Sequence, residues 1–156
     1  MVKIIYCGYR ATYAAYVMAA IHTGMYNEHR LPSREAMERQ WNICDRYGEQ
    51  YGNLIYMGLD ENLNEVYILG CKGFFEVIKM EYEGIKDIFG IDDTIRYVDC
   101  RPWDGFLSNF ISRINNYRWL RRGSKRLFLY WLKHVYIHCS EKVQREKQSI
   151  TAGERC

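Results

Sequence analysis

The residues best placed to do chemistry lie in one short loop near the start of the chain. Gly8, Tyr9, Arg10 and Thr12 follow an apolar run, Val2-Lys3-Ile4-Ile5-Tyr6, and precede an alanine-rich run, Tyr13 to His22, that closes on Gly24. A strand, a loop and a helix in that order hold anions in many α/β proteins. Free N–H groups at the helix start and the helix dipole both favour negative charge there. Arg10 adds a fork of donors and Thr12 a hydroxyl, so the segment predicts a site for a small anionic or phosphorylated ligand. It lacks the stricter phosphate motifs: GxxxxGK[ST] and GxGxxG both fail, since only Gly8 is present. A phosphatase-type cysteine loop would need an arginine six residues after Cys7, where Tyr13 stands instead. Cys7 is therefore expected to be a packing thiol rather than a nucleophile.

Asp99 and Arg101 flank Cys100 at the end of a later apolar run. They can face the same ligand from the opposite side. Asp99 is alternatively a general base or magnesium ligand for a phosphate-ester transferase or hydrolase, a role Asp60 can also fill. A simpler reading pairs Arg101 with Asp99 and gives Asp60 to a turn with Glu61, Asn62 and Asn64. His134 and His138 share a helix face, but the zincin pattern needs glutamate where Val135 stands, so no metal site is expected. No pattern specifies a cofactor. Arg118, Arg121, Arg122, Lys125 and Arg126, interleaved with Tyr117 and Trp119, allow a third reading as a nucleic-acid-binding or regulatory surface. A solvated basic junction is its plain alternative.

The elements that must position these residues follow from spacing. Thr12 is expected to cap a first helix running to about Thr23, with Gly24 just past its end. Ser33 opens a second helix with Met37, Trp41 and Cys44 on its apolar face. Two short apolar runs, 53–58 and 65–70, frame the turn-rich 60–64 and predict a hairpin. A third helix over about 73–89 places Phe74, Ile78, Tyr82, Ile85 and Phe89 at helical spacing, and Gly90 ends it. Thr94 to Asp99 is a fourth strand. Asp104 then caps a helix with Phe106, Phe110, Ile114 and Tyr117 on one face. Gly123-Ser124 breaks the chain. A last helix with Leu127, Phe128, Trp131, Val135 and Cys139 inward runs to about Lys147. The expected fold is α/β: a three-layer domain with a mixed sheet of about four strands and a helical C-terminal third. It forms a single domain over 1–147, with a flexible tail over 148–156.

Composition limits the function classes. The 156 residues suffice for one core. No secretory leader and no membrane-spanning run is visible, so the expected location is the cytoplasm, with no membrane partner. The 6 cysteines form no CxxC pair and are expected to be free thiols. The net charge of +3 is unevenly spread: residues 1–99 carry 10 basic and 15 acidic side chains, a balance of −5, and residues 100–156 carry 12 and 4, a balance of +8. A basic segment thus follows an acidic body.

Several runs resemble the DUF3189 family: the first 24 residues, Ile55-Tyr56-Met57-Gly58-Leu59-Asp60, Asn64 to Gly70, and Ile88-Phe89-Gly90-Ile91. The resemblance covers about residues 2–100 and is poor beyond. It implies a source among Firmicutes, largely spore formers. The family's loop after the first strand has the form HCYGGxHSS. Against it, Cys7 takes the place of histidine and Gly8 that of cysteine, while Tyr9 is kept. Arg10 and Ala11 replace the glycine pair, and Tyr13, Ala14 and Ala15 replace the HSS group. If that loop performs chemistry in the family, the resemblance implies an altered or inactive version here.

Overall fold

The computed structural model describes residues 2–117 and 119–153. Four strands form one mixed sheet: β1 (Val2–Gly8), β2 (Ile55–Leu59), β3 (Glu65–Gly70) and β4 (Thr94–Asp99), in the order β2-β3-β1-β4. β1 is central and runs parallel to both β3 and β4, while β2 and β3 are the antiparallel hairpin. Ile4 and Tyr6 are fully buried on one face of β1, and Ile5 and Cys7 are buried on the other, as a strand covered on both sides requires.

α3 (Phe75–Phe89) covers one face, packing Phe75, Ile78 and Tyr82 on Ile5, Cys7 and Leu69. The larger core lies on the opposite face. There α1 (Tyr16–His22), α2 (Arg34–Tyr47), α4 (Arg101–Asn115) and α5 (Arg121–Gly153) gather around Ile4, Tyr6, Met18, Trp41, Phe128 and Leu132. The result is a three-layer α/β fold. Among the described residues no helix is long and apolar enough to cross a membrane. Cys7, Cys44, Cys71, Cys100 and Cys139 are buried free thiols.

Local signals place several boundaries. Ser33 Oγ accepts the Ala36 amide at 3.2 Å and caps α2. Gly24 and Gly90 end their helices at φ +74° and +60°, a left-handed region that glycine enters without penalty.

Four expectations change. Thr12 does not cap a helix: Ala11–Ala15 forms one irregular π-type turn, bent at Tyr13 (φ −98°, ψ −113°), and α1 starts at Tyr16. In α3 Phe75 points inward beside Ile78 and Tyr82, whereas Phe74, Ile85 and Phe89 are exposed. α4 buries Asp104, Ser108 and Ile111 and turns Phe106 and Phe110 outward, and Tyr117, past its end, is exposed. Its rotation answers to the Asp104 carboxylate, which must reach the β1–α1 loop, rather than to its largest apolar residues. Finally, α5 passes through Gly123-Ser124 and beyond Lys147. The buried Ser124 hydroxyl donates to the Arg121 carbonyl at 2.9 Å, and Ile150 is buried, so 148–153 continue the helix.

Candidate functional site

The loop after β1 lies at the carboxyl ends of the parallel strands, where ligands bind in α/β sheets. Its geometry is set from three sides. β1 ends on Gly8, beside Gly70 of β3. A side chain at Gly8 would stand 2.7 Å from the Arg10 carbonyl and 3.1 Å from Asp104 Oδ2, and one at Gly70 would stand 3.0 Å from the Ala11 nitrogen. Both glycines let the backbone close up. Tyr13 then drives its ring into the core against Phe128 and Trp131, at centroid distances of 5.7 and 5.4 Å. That anchor forces the irregular turn. α2 takes up its carbonyls: Gln40 Nε2 and Cys44 Sγ donate to the Thr12 carbonyl at 3.2 and 3.1 Å.

The loop's amides converge on a carboxylate from a distant element. Asp104 of α4 accepts the Tyr9 amide on Oδ2 at 2.5 Å and the Ala14 amide on Oδ1 at 3.0 Å. It is 2 % exposed. Burial raises its pKa to about 7, while the amides of Ala14, Tyr9 and Arg10 and the Arg10 guanidinium oppose the rise. Gly105 follows at φ +61°, a bend that aims the carboxylate and interrupts α4. Asp104 thus takes up the free amides of the loop.

Arg10 is buried within this cluster. Its guanidinium donates to Asn109 Oδ1 at 2.7 Å, lies 3.6 Å from Glu49 and sits 5.2 Å from the Tyr9 ring centre. Arg10 Nε and Thr12 Oγ1 are buried without a hydrogen-bond partner. Asp99 and Arg101 form a separate unit. Arg101 forks the Asp99 carboxylate at 2.9 and 2.7 Å, donates to the Gly73 carbonyl at 3.0 Å and lies over the Phe75 ring. Gly8, Tyr9 and Arg10 therefore stand together with Asp104 and Thr12 is held against α2, whereas Asp99 and Arg101 bind each other on the α3 side. Burial raises Asp99, but the Arg101 hydrogen bonds outweigh it and hold the carboxylate below its ordinary range. The Cys7 thiol is pushed up by burial, away from thiolate chemistry.

Asp60 belongs to a different network at the other end of the sheet. Tyr6, His22 and Asp60 form a buried chain, with the Tyr6 hydroxyl 2.6 Å from His22 Nδ1 and His22 Nε2 3.2 Å from Asp60 Oδ2. Burial keeps His22 below its ordinary pKa despite Asp60. The neutral ring accepts from tyrosine and donates to the carboxylate. Burial alone would raise Asp60. The amides of Asn64 and Asn62 and the side chains of Asn64 and His22 instead hold it low.

In the basic segment, Arg121 pairs with Asp45 and Lys125 with Glu38, while Arg122 and Arg126 are exposed. Arg118 lies outside the described residues. His134 and His138 face solvent, and among the described residues no group of three metal-ligating side chains gathers.

Sequence reasoning missed Asp104, Asn109 and Glu49 as parts of the loop cluster. An aspartate just before Gly105 was the available signal, and it read equally well as a helix cap.

The strand order, the covered parallel core and the glycine-closed β1–α1 loop define an α/β protein of doubly covered mixed-sheet type. The family model described as protein of unknown function (DUF3189) matches residues 3–148, and the chain belongs to that family. Comparison with curated proteins and with solved structures gives no match.

Proposed function

We propose that this protein binds a small anionic, phosphate-bearing ligand at the β1–α1 loop and does not transform it. One observation carries the reading: the Tyr9 and Ala14 amides already close on a carboxylate, so the loop is built as an anion cradle with Asp104 standing in for a ligand oxygen. Arg10 Nε and Thr12 Oγ1 lie in the same loop as buried polar atoms awaiting a partner. Gly8, Tyr9, Arg10 and Thr12 form the binding set, and Asp99 and Arg101 lie beyond it as a paired charge. The groups first considered as nucleophile or base favour binding over chemistry, and the two oxygens of Asp104 are taken up by the Tyr9 and Ala14 amides. The Cys7 thiol is pushed up, and Asp60 and Asp99 are held low and are weak bases.

The test is a titration of inorganic phosphate and nucleoside phosphates followed by thermal stability and calorimetry. A ligand that binds the folded state raises the midpoint by mass action. Wild type is expected to respond, Arg10→Ala to lose the response, and Asp104→Ala, which vacates the amides, to bind more tightly. Identical flat titrations in wild type and a folded Asp104→Ala would refute the reading.

A further inference from the structure

α3 is the one helix on its side of the sheet among the described residues, and its outer surface is apolar. Phe74, Val77, Met80, Ile85, Ile88 and Phe89 all face solvent, Ile88 at 79 % and Phe89 at 73 % exposure. On the same side of the sheet Tyr56, paired with Tyr67 of β3, is 53 % exposed because α3 does not extend over β2. Taking roughly 150–250 Å² for a large side chain, the exposed fractions along α3 come to on the order of 700 Å². A soluble monomer seldom leaves a contiguous apolar patch beyond a few hundred Å². A stable interface buries about 800 Å² per partner. The exposed surface therefore matches one half of a standard interface.

Gly84 sits in the middle of this stripe. Nothing within the chain requires it: an added Cβ would meet no atom within 4 Å, and its φ is not left-handed. Glycine inside a helix is less favourable than alanine by about 1 kcal/mol, so its presence is unexplained by the single chain. A gap in a row of large side chains is what lets a second helix approach closely. The stripe's charged neighbours are Glu76, Glu81, Glu83 and Asp87 against Lys79 and Lys86. That excess of acid disfavours an anionic bilayer as the occupant.

We propose that α3 is a homodimer interface: a second copy of this chain packs its own α3 across Gly84 about a two-fold axis, with Val77, Met80 and Ile88 of both copies at the centre and Phe74, Ile85 and Phe89 completing the buried area. Such a contact is isologous and closes after two subunits. The acidic flanks repel weakly, so the association is held by apolar area and strengthens as salt screens the charges.

Sedimentation velocity and light scattering on the full chain, over a concentration series at low and high salt, test this. Wild type is expected to sediment as a dimer, more completely at high salt. Ile88→Glu is expected to give a monomer with unchanged circular dichroism. Gly84→Leu is expected to weaken the dimer at least tenfold while leaving the monomer at least as stable as wild type, since leucine is the better helix former. Tyr130→Ala, on the exposed side of α5, leaves the dimer intact. A wild-type monomer at every concentration and salt would overturn the proposal. So would a dimer that survives both α3 substitutions, or one that dissociates as salt rises.

Discussion

Replacing Asp104 with asparagine tests the central claim about the loop, because the two residues share a shape and differ in ionisation. The folded carboxylate titrates at about 7 against an ordinary value of 3.8. Below 3.8 both folded and unfolded chains hold the proton. Between the two values only the folded chain holds it, so stability falls as pH rises, and the contribution is lost once pH passes about 7. Each pH unit in that window is worth about 1.4 kcal/mol. From pH 5 to pH 8 wild type should therefore lose roughly 3 kcal/mol relative to Asp104→Asn. The variant carries a constant offset, since its amide group meets one of the two backbone N–H groups, but no slope from this site. Urea denaturation followed by circular dichroism at four pH values gives both curves, and His22 contributes equally to each. A difference that stays constant with pH, or one that grows in favour of wild type, would refute the reasoning. It would mean that the loop amides and Arg10 hold the carboxylate ionised.

Tyr6→Phe removes the donor to His22 Nδ1 and leaves a buried acceptor bare, so stability should fall by about 1–3 kcal/mol; an unchanged urea midpoint would show that the contact contributes nothing. His22 is held below 6.5 in the folded state. Its neutral form is part of the fold, so stability from this group is lost as pH falls below 6.5, and NMR titration of the ring should show it neutral where a free histidine is half charged. Gly8→Ala places a Cβ 2.7 Å from the Arg10 carbonyl. The expected loss is about 1–3 kcal/mol by thermal or urea unfolding, and a variant as stable as wild type would show that the loop can relax.

Much of the fold was legible because its signals are local. The hairpin runs, the Ser33 cap and the glycines after α1 and α3 each act within a few residues. What was not legible depends on distant partners. The amides that Asp104 serves lie 95 and 90 residues away, so in the sequence it could only look like a cap for its own helix. Thr12 had the right chemistry for a cap, but the Tyr13 ring found a better place in the core and bent the turn away from it. The rotations of α3 and α4 were hidden for a related reason. Both carry more apolar residues than the sheet can cover, so periodicity offers several faces and tertiary contacts choose among them. Of the candidate site, the loop residues were found from their spacing. Their separation from Asp99 and Arg101 required the Arg101 fork, which no spacing rule reports.

The place of β1 in the sheet also governs how the chain can be made. Among the elements β1 leaves the ribosome first, yet its two neighbours are β3 and β4, the latter 92 positions later in register. The face of α1 turned away from the sheet stays open longer still, because Phe128, Trp131 and Leu132 of α5 complete its core. Until α5 has emerged, the nascent chain holds a bare central strand and an uncovered apolar helix. Folding must therefore wait until α5 has emerged, and the growing polypeptide exposes apolar surface and unpaired strand edges during that interval.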